Sequence, residues 1–524
     1  MANTESVLSP SSNKRIAKNT AMLYFRMLFT MGVTLYTSRV VLSVLGIENF
    51  GIYNVVGGVV MLFTFLNGAM AASTSRFLTF ELGRQNFEQL KKTFSAALTI
   101  HIIIALAVFI LAETIGLWFV LHKLVIPSGR MTATMWVYQF SILSCMVGLV
   151  QVPYNASIIA HERMNVYAYV SIVDVMLKLI IVFLLKWFVP FDHLVFYAFL
   201  IFCSTLLVTG IYKVYCGRQY EECRYRIYWD KSLYRQMIGF SGWSLLGNFA
   251  WIMLTEGANI LLNLFFGPVV NAAQAIAVQV NSAVTGFVNN FRTAVNPQVI
   301  KLYASNHKQE MFLLLFQSLK YSYFIILILI LPILLETGFI LTLWLKNVPQ
   351  HAVLFVQLAL INSLVSTLDT GSLIALQAVG RLKENSLVGS ASVLLFILPL
   401  SFVLFRLGFS PNVLYYNMIL SSFLFTFGVR PFLLYKIAGM SFSNYYAQVV
   451  VPVLRVTVIS SVAPVLLSLY LADNVVRFFV VSIVSILSVA VSVWLLGMDR
   501  ETKKALLVML KRKFTREQHS NVAI

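Results

Sequence analysis

Residues 110–123 read ILAETIGLWFVLHK, and residues 333–346 read ILLETGFILTLWLK. The two stretches align at a shift of 223, which sets Glu113 on Glu336 and Lys123 on Lys346. Working outward, a shift of 221 sets RFLTFELGRQNFEQL (76–90) on PQVIKLYASNHKQEM (297–311), and Gly46 of LGIENFGIYN (45–54) on Gly267. A shift of 220 sets Asn165 on Asn385. Four matches in chain order at nearly one spacing mark an internal repeat, and such a repeat fixes the architecture before any local reading does.

The repeated segments are apolar. Of the 524 residues, 59% are hydrophobic and only 11% charged, with a mean hydropathy of +0.82, whereas soluble domains carry about 25% charged residues. The chain is therefore read as an all-α integral membrane protein. A helix needs about 20 apolar residues to cross the bilayer core. On that criterion fourteen spans are expected, near 19–45, 50–77, 94–120, 131–160, 164–187, 192–214, 236–266, 268–298, 311–343, 350–379, 384–407, 412–435, 446–471 and 475–497. Each half of the repeat holds six, and two are appended.

The expected organisation is a cytoplasmic N-terminal segment (1–18), an N-lobe (19–214), a cytoplasmic linker (215–235), a C-lobe (236–435), spans 13–14 (446–497) and a basic cytoplasmic tail (498–524). The tail is amphipathic enough to lie on the inner leaflet. The polar, basic opening runs into an apolar stretch too long for a signal peptide, so a permanent first span is expected there. The Lys/Arg bias places both ends in the cytoplasm. Six is even, so the two repeats enter the membrane from the same side, the parallel arrangement of some transporters. Two such bundles facing each other enclose a central cavity that rocking exposes to alternate sides.

A net charge of +19 would suit nucleic acid, but the basic residues are scattered between apolar spans, and the positive-inside rule accounts for them. Cys145, Cys203, Cys216 and Cys223 lack metal-ligand spacing, and the seven histidines form no metal-binding pair. No cofactor or metal is expected.

The stretch SRVVLSVLGIENFGIYNVVGGVVMLFTFLNGAMAASTSRFLTFELG (38–83) resembles the opening of the polysaccharide-biosynthesis flippases: span 1, then LGxxxFGIY, then a span ending in Ser-Arg-Phe. ALQAVGRLKENSLVG (375–389) resembles their junction between spans 10 and 11. That family, the O-antigen and lipid-linked oligosaccharide branch, belongs to the multidrug/oligosaccharidyl-lipid/polysaccharide exporter superfamily. The resemblance implies twelve core helices in two lobes, often with two more. It also implies translocation of a polyprenyl-diphosphate-linked oligosaccharide from the cytoplasmic to the outer leaflet of a bacterial inner membrane. The implied partners are that glycan lipid, membrane lipids, and a polysaccharide polymerase and glycosyltransferases.

The residues suit an anionic headgroup. Arg donates paired hydrogen bonds to phosphate and stays protonated. In MLFTMGVTLYTSRVVLSVLG (27–46), Arg39 stands alone in an apolar run, with Arg26 just before it. Arg26 lies about 12 Å from Lys18 and Arg39 about 12 Å from Ile47, so snorkelling to an interface is the competing explanation. Arg26, Arg39, Arg292 and Lys178 are the candidate headgroup ligands. Two polar stripes at helical spacing are candidate cavity lining: Asn248, Thr255, Asn259 and Asn263 in span 7, and Gln274, Asn281, Thr285 and Asn289 in span 8. Packing between helices is the alternative reading of such stripes. Asp174 and Lys178 stand at i, i+4, the favourable order for an ion pair. Glu256 and Asp369 have no countercharge within helical reach. With Asp174 they are candidate sites for H⁺ or Na⁺ coupling, or counter-ions to the arginines. Duplicated Glu113 and Glu336 point to the scaffold. Under the 221 shift Arg26 falls on Gly247, Arg39 on Ile260, Glu256 on Leu35 and Arg292 on Ala71, so none of these charges is repeated.

A multidrug cation antiporter of the same superfamily is the nearest rival, but its cavity should be acidic, and here the spans are richer in basic residues. A membrane-embedded polysaccharide polymerase or transferase needs an extramembrane loop carrying its chemistry. The expected outer loops are short and hold no His–Asp or nucleophile–base grouping, so no enzyme is expected.

Overall fold

A computed structural model describes residues 10–499, apart from 162, 188–191, 227, 305–306 and 380–381, together with Lys503. The N-terminal segment before residue 10 and nearly all of the tail expected over 498–524 lie outside the described residues. All regular structure among the described residues is helical. Twelve helices are long and apolar enough to cross a bilayer, from Leu28–Leu62 to Val475–Gly497. The chain is a multi-pass membrane protein.

Two of the fourteen expected spans are not among those twelve. The stretch 50–77 is divided at Phe63–Thr64 between the helices Pro10–Leu62 and Phe65–Gly83. The stretch 268–298 lies in one helix, Pro268–Ala304, whose amides lower its hydropathy.

Contacts group the chain into two compact units that cut across the sequence repeat. One comprises 1–279, 344–355 and 383–417; the other comprises 280–343, 356–382 and 418–524. In the first unit, Met131–Ala160 packs along His193–Gln219, and Phe65–Gly83 packs along Lys231–Ile252. Leu78, Phe94, Tyr154, Ile158 and Tyr212 fill one of its cores. The stretch expected as a linker is pinned to the same unit. His161 hydrogen-bonds Glu222 at 2.6 Å and stacks on Tyr220 at 4.0 Å, and Asp230 caps the next helix by accepting from the Ser232 and Leu233 amides. Between Met131–Ala160 and His193–Gln219, Arg130 grips Asp192 through two nitrogens at 2.6 and 3.2 Å. Burial alone would raise the Asp192 carboxyl. The hydrogen bond and charge of Arg130, with the amides of Val195 and Leu194, outweigh it and hold the group below the usual carboxylate range. In the second unit Val451–Tyr470 and Val475–Ser492 pack together and against Lys308–Leu335.

The repeat is visible in the backbone. Gly46 has φ 77° and ψ 167° where it kinks the first helix, and Gly267 has φ 77° and ψ −176° where it ends Ala258–Phe266. This region of φ/ψ space is open almost only to glycine. The helices also break at corresponding places further on: a π-helical turn spans Ala112–Gly116 around Glu113, and Lys308–Leu335 ends at Glu336. The duplicated acids differ in partners, for Glu336 is buried and held by Arg477 at 2.9 and 3.3 Å.

Candidate functional site

Arg39 lies in the first unit on Pro10–Leu62, half-buried, and makes no hydrogen bond or ion pair among the described residues. One turn earlier the helix is met by polar and aromatic groups. The Trp344 indole donates to the Leu35 carbonyl at 2.7 Å, and the Gln279 amide donates to the Thr34 carbonyl at 3.2 Å and to the Ser38 hydroxyl. Trp344 and Gln279 thus meet the helix within about one turn of Arg39. Sequence reading found Arg39 but not Gln279 or Trp344, because neither is close in sequence. The Arg26 side chain lies outside the described residues. Lys178 holds Asp174 at 2.8 Å as the i, i+4 spacing predicts.

The span-7 stripe divides into separate settings. Asn248 packs over Gly68, where an added methyl would come within 3.2 Å of its amide. Thr255 and Glu256 belong to a π-helical turn, Met253–Gly257, and Thr255 returns its hydroxyl to the Trp251 and Ile252 carbonyls. The Glu256 carboxylate rests over Gly58, 2.7 Å from where a Cβ would stand, and has no hydrogen-bonding or ionic partner among the described residues. Asn259 and Asn263 are buried in an amide cluster completed by Asn271. Asn271 donates to the Asn259 side chain and carbonyl, both at 2.6 Å, and accepts from Asn263 at 2.9 Å. Asn263 in turn accepts from the Val125 amide at 2.9 Å, fixing the loop before Met131–Ala160. Breaking this cluster leaves buried amides unpaired. Asn271→Ala is expected to destabilise the protein by about 1–3 kcal/mol, read as a lowered unfolding temperature in detergent.

The span-8 stripe crosses both units. In the first, Gln274 accepts from the Tyr415 hydroxyl at 2.7 Å. In the second, Asn281 accepts from Ser363, Thr285 bonds the Asn281 carbonyl at 2.9 Å, and Asn289 is exposed. Arg292 is buried and donates to the Thr370 hydroxyl at 2.6 Å and to the Thr367 carbonyl. Asp369, without a countercharge on its own helix, has one from another: Arg430 donates to it at 2.7 and 3.1 Å. Sequence reading missed Arg430. The available signal was depth, since Asp369 stands ten residues before the end of Ala352–Val379 and Arg430 eight before the end of Arg430–Ala438.

A separate cavity of about 500 Å³ in the first unit is lined wholly by apolar residues, among them Val59, Ile115, Phe119, Leu261 and Phe402. Two π-helical turns contribute to its wall through Gly116 and Gly257.

The profile of a family described as polysaccharide biosynthesis protein matches residues 16–303. A search of curated proteins finds no match. Among solved structures, the inward-facing form of a multidrug resistance MATE family transporter of the MOP superfamily aligns with a TM-score of 0.66 at 11% identity, covering 78% of this chain and 95% of that one. The lipid II flippase MurJ in an inward closed conformation aligns with a TM-score of 0.62 at 12% identity, covering 90% and 97%. A MOP superfamily transporter from Pyrococcus furiosus, described as having a binding pocket of reverse polarity, aligns with a TM-score of 0.60 at 12% identity, covering 82% and 96%. At these identities the likeness is one of fold.

Proposed function

Because the chain belongs to the polysaccharide biosynthesis protein family, we propose that it is a flippase for a polyprenyl-diphosphate-linked oligosaccharide, moving the headgroup from the cytoplasmic to the outer leaflet by alternating access. One observation carries the reading: Arg39 is half-buried and without a partner among the described residues, on a helix apolar enough to span a membrane. Such a charge costs about 2.5–3.5 kcal/mol on the insertion scale, and a transient phosphate partner gives it a purpose.

On this reading Arg39 takes a phosphate, while Trp344 and Gln279, which bond the turn before it, suit a sugar. Arg26, Lys178 and Arg292 complete the headgroup ligands, with Asp174 and Asp369 as counter-ions. Asn248, Thr255, Gln274, Asn281, Thr285 and Asn289 supply polar lining, with Asn259 and Asn263 behind them. Glu256 is the proposed site of coupling to an H⁺ or Na⁺ gradient, since it has no countercharge among the described residues and sits in a π-helical turn, a distortion frequent at functional sites. The two six-helix halves, 19–214 and 236–435, are the moving bodies, both termini are cytoplasmic, and the membrane is a bacterial inner membrane where polymerase and glycosyltransferases act on the same lipid.

Deleting the gene should cause a lipid-diphosphate glycan to accumulate in the inner leaflet, measured by labelling the glycan from each side of the membrane. An unchanged leaflet distribution, with altered dye or drug efflux instead, would overturn the assignment in favour of a cation extruder.

A further inference from the structure

Every helix that walls the apolar cavity of the first unit departs from regular α-helical geometry at the wall. Leu62 and Phe63 stand at the break between Pro10–Leu62 and Phe65–Gly83. Ile115 and Gly116 belong to the π-helical turn Ala112–Gly116, and Met253 and Gly257 to the turn Met253–Gly257. Leu398 and Pro399 follow directly on a further π-helical turn, Ser392–Ile397, which packs against Met253–Gly257. A π-helical turn holds an extra residue, so it widens its helix and keeps its neighbours from closing up as regular helices do.

The lining is apolar throughout. Water finds no hydrogen-bond partner in such a space, and leaving it empty costs the walls their dispersion contacts. Inside a membrane the available filler is hydrocarbon. The cavity is also continuous with the lipid-facing surface. Ile115 is 58% and Phe402 41% exposed, and their neighbours along the helices, Trp118 and Val403, are exposed too. Ile260 and Leu261 of the same lining are buried. Size selects the occupant. An apolar cavity of about 150 Å³ holds one benzene ring, so about 500 Å³ holds roughly 20 carbons on the same measure. That is one fatty acyl chain; a polyprenyl tail is much longer and would leave most of its length outside.

We propose that this cavity is a site for one fatty acyl chain of a bilayer phospholipid, which enters between Ile115 and Phe402 and props the π-helical turns apart. The bound lipid is part of the scaffold and distinct from any cargo. Its headgroup stays outside, because the lining offers nothing polar to hold one.

The test uses the purified full-length chain in a sterol-based detergent, which brings no alkyl chain of its own. The probe is phosphatidylcholine with a diazirine at the end of one acyl chain, and labelled residues are mapped by peptide mass spectrometry. Irradiation should label buried Ile260 and Leu261 as well as lipid-facing residues such as Val458 and Val462. Excess unlabelled phosphatidylcholine should remove the buried label, and an equal excess of polyprenyl phosphate should not. Gly257→Phe fills the cavity, since a Cβ there points at the Met253 and Leu398 side chains, 3.0 and 3.7 Å away. In that variant the label on Ile260 and Leu261 should fall at least tenfold, while the label on Val458 and Val462 holds. Label confined to exposed residues, or a buried label that survives Gly257→Phe, overturns the proposal. Competition by polyprenyl phosphate alone overturns it equally, and gives the cavity to a polyprenyl tail. Should Gly257→Phe not fold, Leu264→Trp in the same lining is read in its place.

Discussion

Arg39→Gln is expected to cut glycan-lipid translocation at least about 30-fold while leaving the amount of folded protein in the membrane unchanged. The magnitude follows from losing charge-assisted hydrogen bonds to phosphate, worth about 2 kcal/mol here, with each 1.36 kcal/mol equal to a factor of ten. The second half of the expectation separates function from folding. Arg39 has no partner among the described residues, so its removal leaves no countercharge stranded. Removing an intramembrane charge also makes insertion easier. Arg39→Lys should fall between, because an ammonium retains the charge and loses the fork. Leaflet-resolved labelling of the glycan, with immunodetection of the protein, reads both halves. Normal translocation by Arg39→Gln would make the residue an interfacial anchor.

Gly51→Val should abolish folded protein. A Cβ at position 51 would lie 1.9 Å from the Pro268 carbonyl oxygen and 2.6 Å from its carbon, both backbone atoms. The two helices touch there main chain to main chain, immediately after the two kinks at Gly46 and Gly267. Neither backbone can withdraw without moving a helix, so the cost should exceed about 4 kcal/mol, the range reserved for severe core lesions. Gly58→Ala is the matched comparison. Its nearest obstruction is the Glu256 carboxylate tip at 2.7 Å, which ends a flexible side chain and can swing aside. Detergent-extracted protein should be lost from aggregate-free fractions for Gly51→Val and retained for Gly58→Ala. Equal yields would show that the contact at Pro268 relaxes freely.

The repeat was legible because it is written in residues with few substitutes. Gly46 and Gly267 occupy a backbone region other residues avoid, and their match in sequence is a match in φ. Apolar length likewise announced the spans, although it could not show the turn at Phe63–Thr64, where hydropathy continues across a break in the helix. The site was legible only along single helices. Periodicity correctly put Asp174 beside Lys178. It also put Asn259 and Asn263 on one face, but it says nothing about what that face meets, and they meet Asn271 and the Val125 loop. Asp369 looked unpaired for the same reason: its partner, Arg430, is remote in sequence. Which helices pack together is decided by the summed fit of many small contacts, and no local pattern encodes it.

The paired kinks carry a consequence for ancestry. A chain that arose by doubling a six-helix half inherits two copies of every bend, and the glycines keep both copies bent alike. Side-chain charge is under no such restraint, so one copy is free to acquire Arg39 while the other carries Ile260 at the corresponding place. In such a lineage single side chains of one copy change while the paired glycine bends stay as they are.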